Sequence, residues 1–431
     1  MIARERITRS FARSLAVHLA LLTIAAIFVF PFLWMLSASF KTDEEVGRQS
    51  LPSIPTYRAT SDDTKPLEIL GVELRTIDFR ISKVSTESRR VEYDFAKRYE
   101  PIIVTYAFDA PIKSSELHKL AIAIKPDDSW HGIDASLELD GKRFTSSFTS
   151  YLAQTREMTL VFQPPGPDDQ SLKAHTWVPM RVADVAFGKP AKLIITITPS
   201  NTPRAIYAKA TRNYSKVFSS IPFWRYVGNS TLLVALNVAG MVFSSAFVGY
   251  AFARMNWPGR GIAMVVLLST MMIPPQVTIA PTFMIIRALG WYNTFNPLWV
   301  PAWLGSAFFI FLMVQHLKTL PKELEEAARI DGLNYVQTWY YIMLPQIKPA
   351  AAAIAILTFM ASWNDFMGPL IYLRDQAMYP LSLGLYDLQL NSGNDQSIIM
   401  AGNVLMTLPV LVIFFVFQRY FVSGIAMSGM K

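Results

Sequence analysis

The chain has 431 residues, of which 52% are hydrophobic and only 17% charged, with a mean hydropathy of +0.28. Soluble chains carry about 25% charged residues, so an ordinary soluble enzyme and a disordered chain are both excluded. The absence of cysteine removes disulfides, thiol catalysis and Cys-based zinc sites, and in an apolar chain a net charge of +8 marks cytoplasmic loops rather than nucleic-acid binding.

Six apolar runs approach the ~20 residues needed to cross a bilayer. The first, Leu15 to Ala38, is too long for a signal-peptide core and contains Pro31 and Trp34, so it is read as a retained span. The others run from Tyr226 to Phe252, from Gly261 onward, from Pro297 to Gln315, from Ala350 to Tyr372 and from Val404 to Phe421. Pro274, Pro275 and Pro281 are expected to bend or end the third run.

Between the first two runs lies a stretch of different character. Residues 57 to 212 hold 22 of the 40 Lys and Arg and 20 of the 32 Asp and Glu. Their charged fraction, roughly 27%, is that of a soluble domain, against about 11% elsewhere. Period-two alternation recurs within it, at Val72 to Ile81, Ile102 to Phe108, Leu120 to Lys125, Met158 to Phe162 and Lys192 to Thr198. Asp140-Gly141 between Ser136 and Phe144 is a hairpin signal, and Pro164-Pro165-Gly166-Pro167 reads as a loop. Many short strands in this length predict a β-sandwich. His118, His131 and His175 are scattered without metal-ligand spacing, so no metal site is expected. The loop Asp127 to Asp134 is expected at the surface, anchored by Trp130, with a ligand or partner surface as the alternative.

Short-loop basic residues set the orientation. Arg4, Arg6, Arg9 and Arg13 precede the first span, Arg254 and Arg260 follow the second, and Lys318, Lys322, Arg329 and Lys348 follow the fourth. The opposite loops carry little beyond Arg287 and Arg374. Both termini are therefore expected in the cytoplasm, with residues 57–212 outside. The domains are read as 1–56, 57–212 and 213–431.

The most specific segment lies between the fourth and fifth spans: LPKELEEAARIDGLNYVQTWYYIMLPQIKPA. Pro321 suits a first helical turn. Lys322 to Ile330 predicts a helix with a Glu325–Arg329 pair at i,i+4. Gly332 either ends that helix or permits a bend and close approach of a partner. A second, aromatic-rich helix is expected over Leu333 to Met343, with Leu344-Pro345 turning the chain back. Ala327 and Ala328 offer a close-packing surface, and Glu326 and Asp331 offer charge.

The string EAA, followed by DG and a spaced Leu-Pro, resembles the coupling motif of permease subunits of ATP-binding-cassette importers. Further stretches resemble the sugar-importer branch, whose maltose-transporter-like permeases share PFLWMLSASFK at Pro31 to Lys41, NSTLLVAL at Asn229 to Leu236 and GYAFARMNWPGR at Gly249 to Arg260. The same holds for Ile273 to Thr294, for SWNDFMGPL at Ser362 to Leu370 and for Gln418 to Lys431. The resemblance covers about 270 residues of the flanks and none of the insert, which falls between LPSIPT and NYSKVF.

It implies a polytopic α-helical membrane protein with the six-helix type I importer permease fold, carrying an inserted extracytoplasmic β-sandwich-like domain. The implied function is the solute pathway for a carbohydrate (sugar, oligosaccharide or polyol) in a bacterial or archaeal cytoplasmic membrane. The implied partners are an ATPase subunit dimer, a second permease and an extracytoplasmic solute-binding protein, with no nucleic acid. Glu326, Ala327, Ala328, Asp331, Gly332, Leu344 and Pro345 would seat on the ATPase, joined by a tail at Ser428 to Lys431. No Gly-rich phosphate loop is present, so the chain is not expected to be an enzyme or to hold a cofactor; ATP would bind the partner. Asn364, Asp365 and Trp363 are candidates for the solute pathway, since an ionisable residue at depth invites that reading; helix-end packing is the alternative. Import of another solute, or a membrane sensor with the β domain as receptor, are the rival functions. The insert itself is expected to dock the binding protein or the partner permease.

Overall fold

The computed structural model describes residues 2–55, 57–60, 66–78, 80–109, 112–147, 149–164, 178–184, 190–391 and 395–428. Thr56, the Pro165–Pro167 loop, His175 and the end of the tail at 429–431 lie outside the described residues. The chain forms two compact units: Met1–Ile221 with Leu388–Leu405, and Pro222–Asp387 with Met406–Lys431.

In the first unit, the helix Ile2–Ser39 carries the first apolar run. Its stretch Ser14–Ser39 is long and apolar enough to cross a membrane. The β region then packs as two sheets. One has the order Ile81–Ser85, Leu67–Thr76, Leu117–Lys125, Met158–Gln163. The other has the order Lys142–Ser146, Gly132–Leu139, Ala191–Thr198, Ile102–Phe108. The strand Val178–Asp184 joins them, running parallel to Met158–Gln163 at its start and antiparallel to Lys142–Ser146 beyond.

Alternation produces the core. Leu67, Ile69, Val72 and Leu74 of one sheet, with Leu120, Ile122 and Ile124, meet Ile133, Ala135, Leu137, Leu193, Ile195 and Ile197 of the other. This is the expected sandwich. The hairpin is also as expected, because Asp140 and Gly141 both take positive φ, 49° and 76°, the geometry of a two-residue primed turn. The first strand differs: it runs Leu67–Thr76 and turns back, so Val72 to Ile81 is not one strand. Thr76 closes that turn by accepting the Arg80 N–H on its hydroxyl at 3.0 Å.

The loop Asp127 to Asp134 corrects the sequence reading. Asp127, Ser129, Trp130 and His131 are all buried. His131 Nδ1 accepts the Ser200 N–H at 3.1 Å, so its Nε2 carries the proton and donates to the Arg58 carbonyl at 2.7 Å. Burial holds the ring's pKa below the usual histidine value, which keeps it neutral for both roles. Trp130 packs on Ala153, Ala205 and Ala208. The loop is thus an internal tie between the sandwich and the helix Thr202–Ser220, which crosses position 212.

The same helix braces the start of the insert. Asn213 donates to the carbonyls of Ser39 and Lys41 at 2.8 Å each. Lys209 Nζ reaches Glu45 Oε1 at 2.7 Å and the Ser53 carbonyl at 2.6 Å.

The second unit is helical. Phe223–Arg254 and Asn296–Lys318 are each long and apolar enough to span; so is Gln396–Phe417 within the helix Gln396–Ser428, whose residues up to Leu405 belong to the first unit. Two helix pairs qualify only as broken spans: Arg260–Met272 with Pro275–Ala288, bent by 101°, and Tyr335–Gln346 with Lys348–Trp363, bent by 75°. The first bend follows from Pro275, which forces Pro274 out of the helical region to ψ 130°. The fifth run is not continuous: its helix stops at Trp363 and resumes at Met367–Tyr372. A further helix, Leu381–Asn391, was not legible in the sequence.

Candidate functional site

The segment between the fourth and fifth apolar runs forms two helical pieces with a built turn. The first, Glu323–Ile330, starts two residues past Pro321. Glu323, Glu325 and Glu326 occupy its first turn, where the helix dipole favours negative charge. At its end Gly332 adopts φ +81°. The Gly332 N–H donates to the Arg329 carbonyl at 3.0 Å and the Leu333 N–H to that of Ala328 at 2.9 Å. These two bonds are the Schellman arrangement, which needs a left-handed residue at this position. A Cβ built on Gly332 meets nothing within 4 Å, so the glycine is required by the backbone, not by crowding within the chain.

Asn334 restarts the chain with a reciprocal cap. Its side chain accepts the Gln337 N–H at 2.9 Å, and Gln337 Oε1 accepts the Asn334 N–H at 2.9 Å. The signal was present as Asn-x-x-Gln, a capping-box spacing. Residues Trp339–Met343 then form a π-helical turn before Leu344–Gln346. The chain bends at Ile347 and not, as expected, at Leu344-Pro345. The wider turn absorbs Pro345, which lacks an N–H and would clash in a regular helix.

One face of this segment is seated in the helical core. Met343 and Ile347 pack with Ala246, Tyr250, Met313, Leu317 and Ile354. Trp339 donates its indole N–H to the Ala246 carbonyl at 3.4 Å and meets Phe247 edge-on at 5.8 Å. Ala328 is buried on this side, which corrects its assignment to a free surface. The rest of the segment is open: Glu326, Ala327, Asp331, Gly332 and Pro345 are exposed, Leu344 is half-buried, and the apolar or aromatic Ile330, Val336, Tyr340 and Tyr341 are exposed, Ile330 to 86%.

The expected Glu325–Arg329 pair is replaced by another. Glu325 is buried, 3.6 Å from Arg254 at the end of the Phe223–Arg254 helix. Arg254 also donates to the carbonyls of Leu317 and Leu320 at 2.5 and 2.6 Å, capping the helix that precedes the segment. Burial raises the pKa of Glu325 while the Arg254 charge opposes it. Arg329 instead lies over the Tyr335 ring at 5.3 Å. Arg254 was visible in the sequence only as a basic loop residue; its partners are 60 or more positions away. It joins three elements at the root of the segment, so the two-piece helix is mounted as a stiff projection.

The second candidate group, Trp363, Asn364 and Asp365, forms a helix break. Trp363 is buried, stacks on Phe359 at 5.9 Å and donates to the Met406 carbonyl at 3.1 Å. Asn364 ends its helix by donating to the Met360 carbonyl at 2.8 Å. Asp365 accepts the Gly368 N–H at 3.1 Å, and its carbonyl accepts the Ser382 hydroxyl at 2.6 Å. Gly368 leaves room for that carboxylate, since a Cβ there would lie 2.6 Å from Asp365 Oδ2. These bonds place the group at a helix junction, with the Trp363 ring buried, Asp365 half-buried and Asn364 exposed.

An apolar helical unit with an exposed two-helix projection and a bent-helix core defines a membrane permease component. The chain belongs to the family described as the binding-protein-dependent transport system inner membrane component, whose profile matches residues 244–427. It is 37% identical over 210 residues to the arabinooligosaccharides transport system permease protein AraQ of Halalkalibacterium halodurans, covering 48% of this chain and 75% of that protein. It is 31% identical over 235 residues to the trehalose/maltose transport system permease protein MalG of Thermococcus litoralis, covering 53% of this chain and 84% of that one. Among solved structures, a chain of a bacterial ABC transporter involved in alginate import matches at 25% identity and a TM-score of 0.43, over 52% of this chain and 82% of that chain. The family profile lies wholly beyond the sandwich, which ends its last strand at Thr198.

Proposed function

We propose that this multi-pass inner-membrane permease carries a carbohydrate, as a sugar, oligosaccharide or polyol, and is driven by a separate ATPase subunit dimer. The observation that carries the coupling reading is the projection Glu323–Ile330. It is ended by a left-handed Gly332, fixed at its root by Arg254 and Glu325, and exposes the apolar Ile330, as the piece that follows exposes Val336. A rigid element with a free apolar and acidic face is what a partner needs in order to push on the helical core behind it. Carbohydrate as the solute is supported by the named substrates of the relatives, arabinooligosaccharides and trehalose or maltose.

In this reading a second permease completes the pathway. An extracytoplasmic binding protein delivers solute, both termini are cytoplasmic and residues 57–212 stand outside. The chain holds no cofactor of its own, since ATP binds the partner. The braced base of the sandwich supports its use as a fixed docking platform. Deleting 57–212 should then weaken binding-protein-stimulated transport and leave the ATPase attached.

The test is co-purification in mild detergent, comparing the native chain with Glu326→Lys and Ile330→Asp. Both positions are exposed, so the chain itself should fold. The native chain should bring down an ATPase and a second permease, and the variants should lose the ATPase alone. Equal ATPase recovery from all three chains would sink the coupling reading. Uptake of radiolabelled maltose and arabinan oligosaccharides into proteoliposomes tests the solute.

A further inference from the structure

Two carboxyls meet inside the first unit. Asp43 opens the short helix Asp43–Gly47, just past the first apolar helix, which ends at Ser39. Asp395 is the residue before the last helix, Gln396–Ser428. The two side chains are hydrogen-bonded to each other. An ionised carboxylate can only accept hydrogen bonds, so one of the pair must carry a proton.

Their other contacts say which. Asp395 Oδ2 accepts from Lys216 Nζ at 3.0 Å, and its Oδ1 accepts from the Ile398 N–H at 3.4 Å. Asp395 is therefore the carboxylate. Asp43 Oδ1 is buried and receives no N–H or O–H, which suits a carboxyl that keeps its proton and donates it. The charged groups facing Asp43 are Asp395, Arg212 and Lys216. Its neighbours Glu44 and Glu45 are taken up by Thr155 and Lys209. Burial and the bond to Asp395 push the Asp43 carboxyl up from 3.8 to about 6.

Loss of that proton turns the hydrogen bond into a repulsion between two carboxylates in contact. A second partner is at hand. Arg212 Nη1 is buried without a hydrogen-bond partner, and the Arg212 charge faces both carboxyls. Asp43 thus has two arrangements: protonated on Asp395, or ionised on Arg212. The first joins the segment after the first apolar helix to the start of the last one, and the second frees them. Lys216 and Asp395 keep 23% and 10% of their side chains exposed, so protons reach the cluster without unfolding.

We propose that Asp43 and Asp395 form a proton-operated latch, closed by acid outside, which slows transport by tying the start of the last helix to the segment before the sandwich. The inference rests on the permease reading and on residues 57–212 standing outside.

The experiment uses the whole transporter, the chain with its co-purifying subunits, in proteoliposomes with binding protein outside and the inner pH held at about 7.5. Maltose uptake should rise about tenfold as the outer pH goes from about 5 to about 7, the change in ionised fraction of a group titrating at about 6. Asp43→Asn, whose amide donates to Asp395 at any pH, should stay at the acid rate. Asp43→Ala, with no donor, should stay at the fast rate. Hydrogen exchange at Ser397 and Ile398 reads the latch without any solute. At about pH 7 the native chain should exchange there several times faster than Asp43→Asn, and at about pH 5 the two should match. Comparing chains at one pH cancels the intrinsic pH dependence of exchange. Equal exchange at both pH values, or an alanine variant that behaves like the asparagine one, would overturn the latch. The exchange difference together with uptake that ignores the outer pH would overturn its control of transport. A chain that shows the exchange difference and takes up no maltose at any pH would bear out the latch and fail the solute reading instead.

Discussion

Replacing Gly332 separates two roles that the sequence leaves open. If the residue serves the backbone, its φ of +81° sets the cost of substitution. An alanine finds open space, since no atom lies within 4 Å of its Cβ, so the penalty is purely conformational. Holding an L-residue in the left-handed region costs about 1–2 kcal/mol. That shifts the equilibrium between the capped and frayed ends of Glu323–Ile330 by about 5- to 30-fold. Asparagine tolerates this conformation through local hydrogen bonding and should remain near the native value despite its larger side chain. The assay is binding-protein-stimulated ATP hydrolysis by the reconstituted transporter, with the ATPase retained on the chain measured in parallel. The expected order is glycine, then asparagine, then alanine. If asparagine proves worse than alanine, the position is governed by close approach of a partner, and the backbone argument is wrong.

Arg254→Met should destabilise the helical unit by about 3–5 kcal/mol, because Glu325 stays buried without its cation. Adding Glu325→Gln should recover part of the loss in thermal unfolding, and strict additivity would show that the two residues are not coupled. Gly384→Ala should be severe, since its Cβ would lie 2.1 Å from the ring of the fully buried Tyr226; Tyr226→Leu should restore yield, and failure of that rescue would point to another cause. The Asp43 carboxyl should contribute more stability to the sandwich unit at pH 5 than at pH 7, against His131, whose depressed pKa removes stability as pH falls through 6.5. Burial and the neighbouring Asp395 push the Asp43 carboxyl up from 3.8 to about 6, so the folded chain holds an extra proton between those values. That contribution is complete below about 3.8 and is lost as pH rises through about 6. Asp395, held down at about 2 by Lys216 and Arg212 against its own burial, titrates far below this window. Asp43→Asn should flatten the profile, and an unchanged slope between pH 5 and 7 would assign it elsewhere.

Much of the architecture follows from local pattern. Charge density separates the sandwich from the helical flanks because charged side chains are excluded from apolar helices but not from a solvated β surface. Alternation locates Ile102–Phe108 and Ala191–Thr198, since successive strand residues face opposite sides. Asp140-Gly141 names its turn because the turn demands positive φ at both positions. Gly332 marks the end of the projecting helix for the same reason, and the EAA string that precedes it is readable without any fold.

What only the tertiary structure decided is where polar groups find their partners. Glu325 looked to be paired with Arg329 at one helical turn, yet it turns inward to Arg254 because burial makes that cation the nearer compensation. The loop around Trp130 and His131 reads as solvated from its polarity, but Ser200 and Arg58 satisfy its ring nitrogens and draw it inside. Trp363 and Asp365, read as pathway candidates, hold a helix junction through partners that no local pattern names. Asp43, Lys216 and Asp395 stand more than 170 positions apart in sequence and form one cluster. Periodicity reports which face of an element is apolar. The matching of a buried charge or lone pair to a distant partner depends on how those faces are brought together, and no local pattern carries that information.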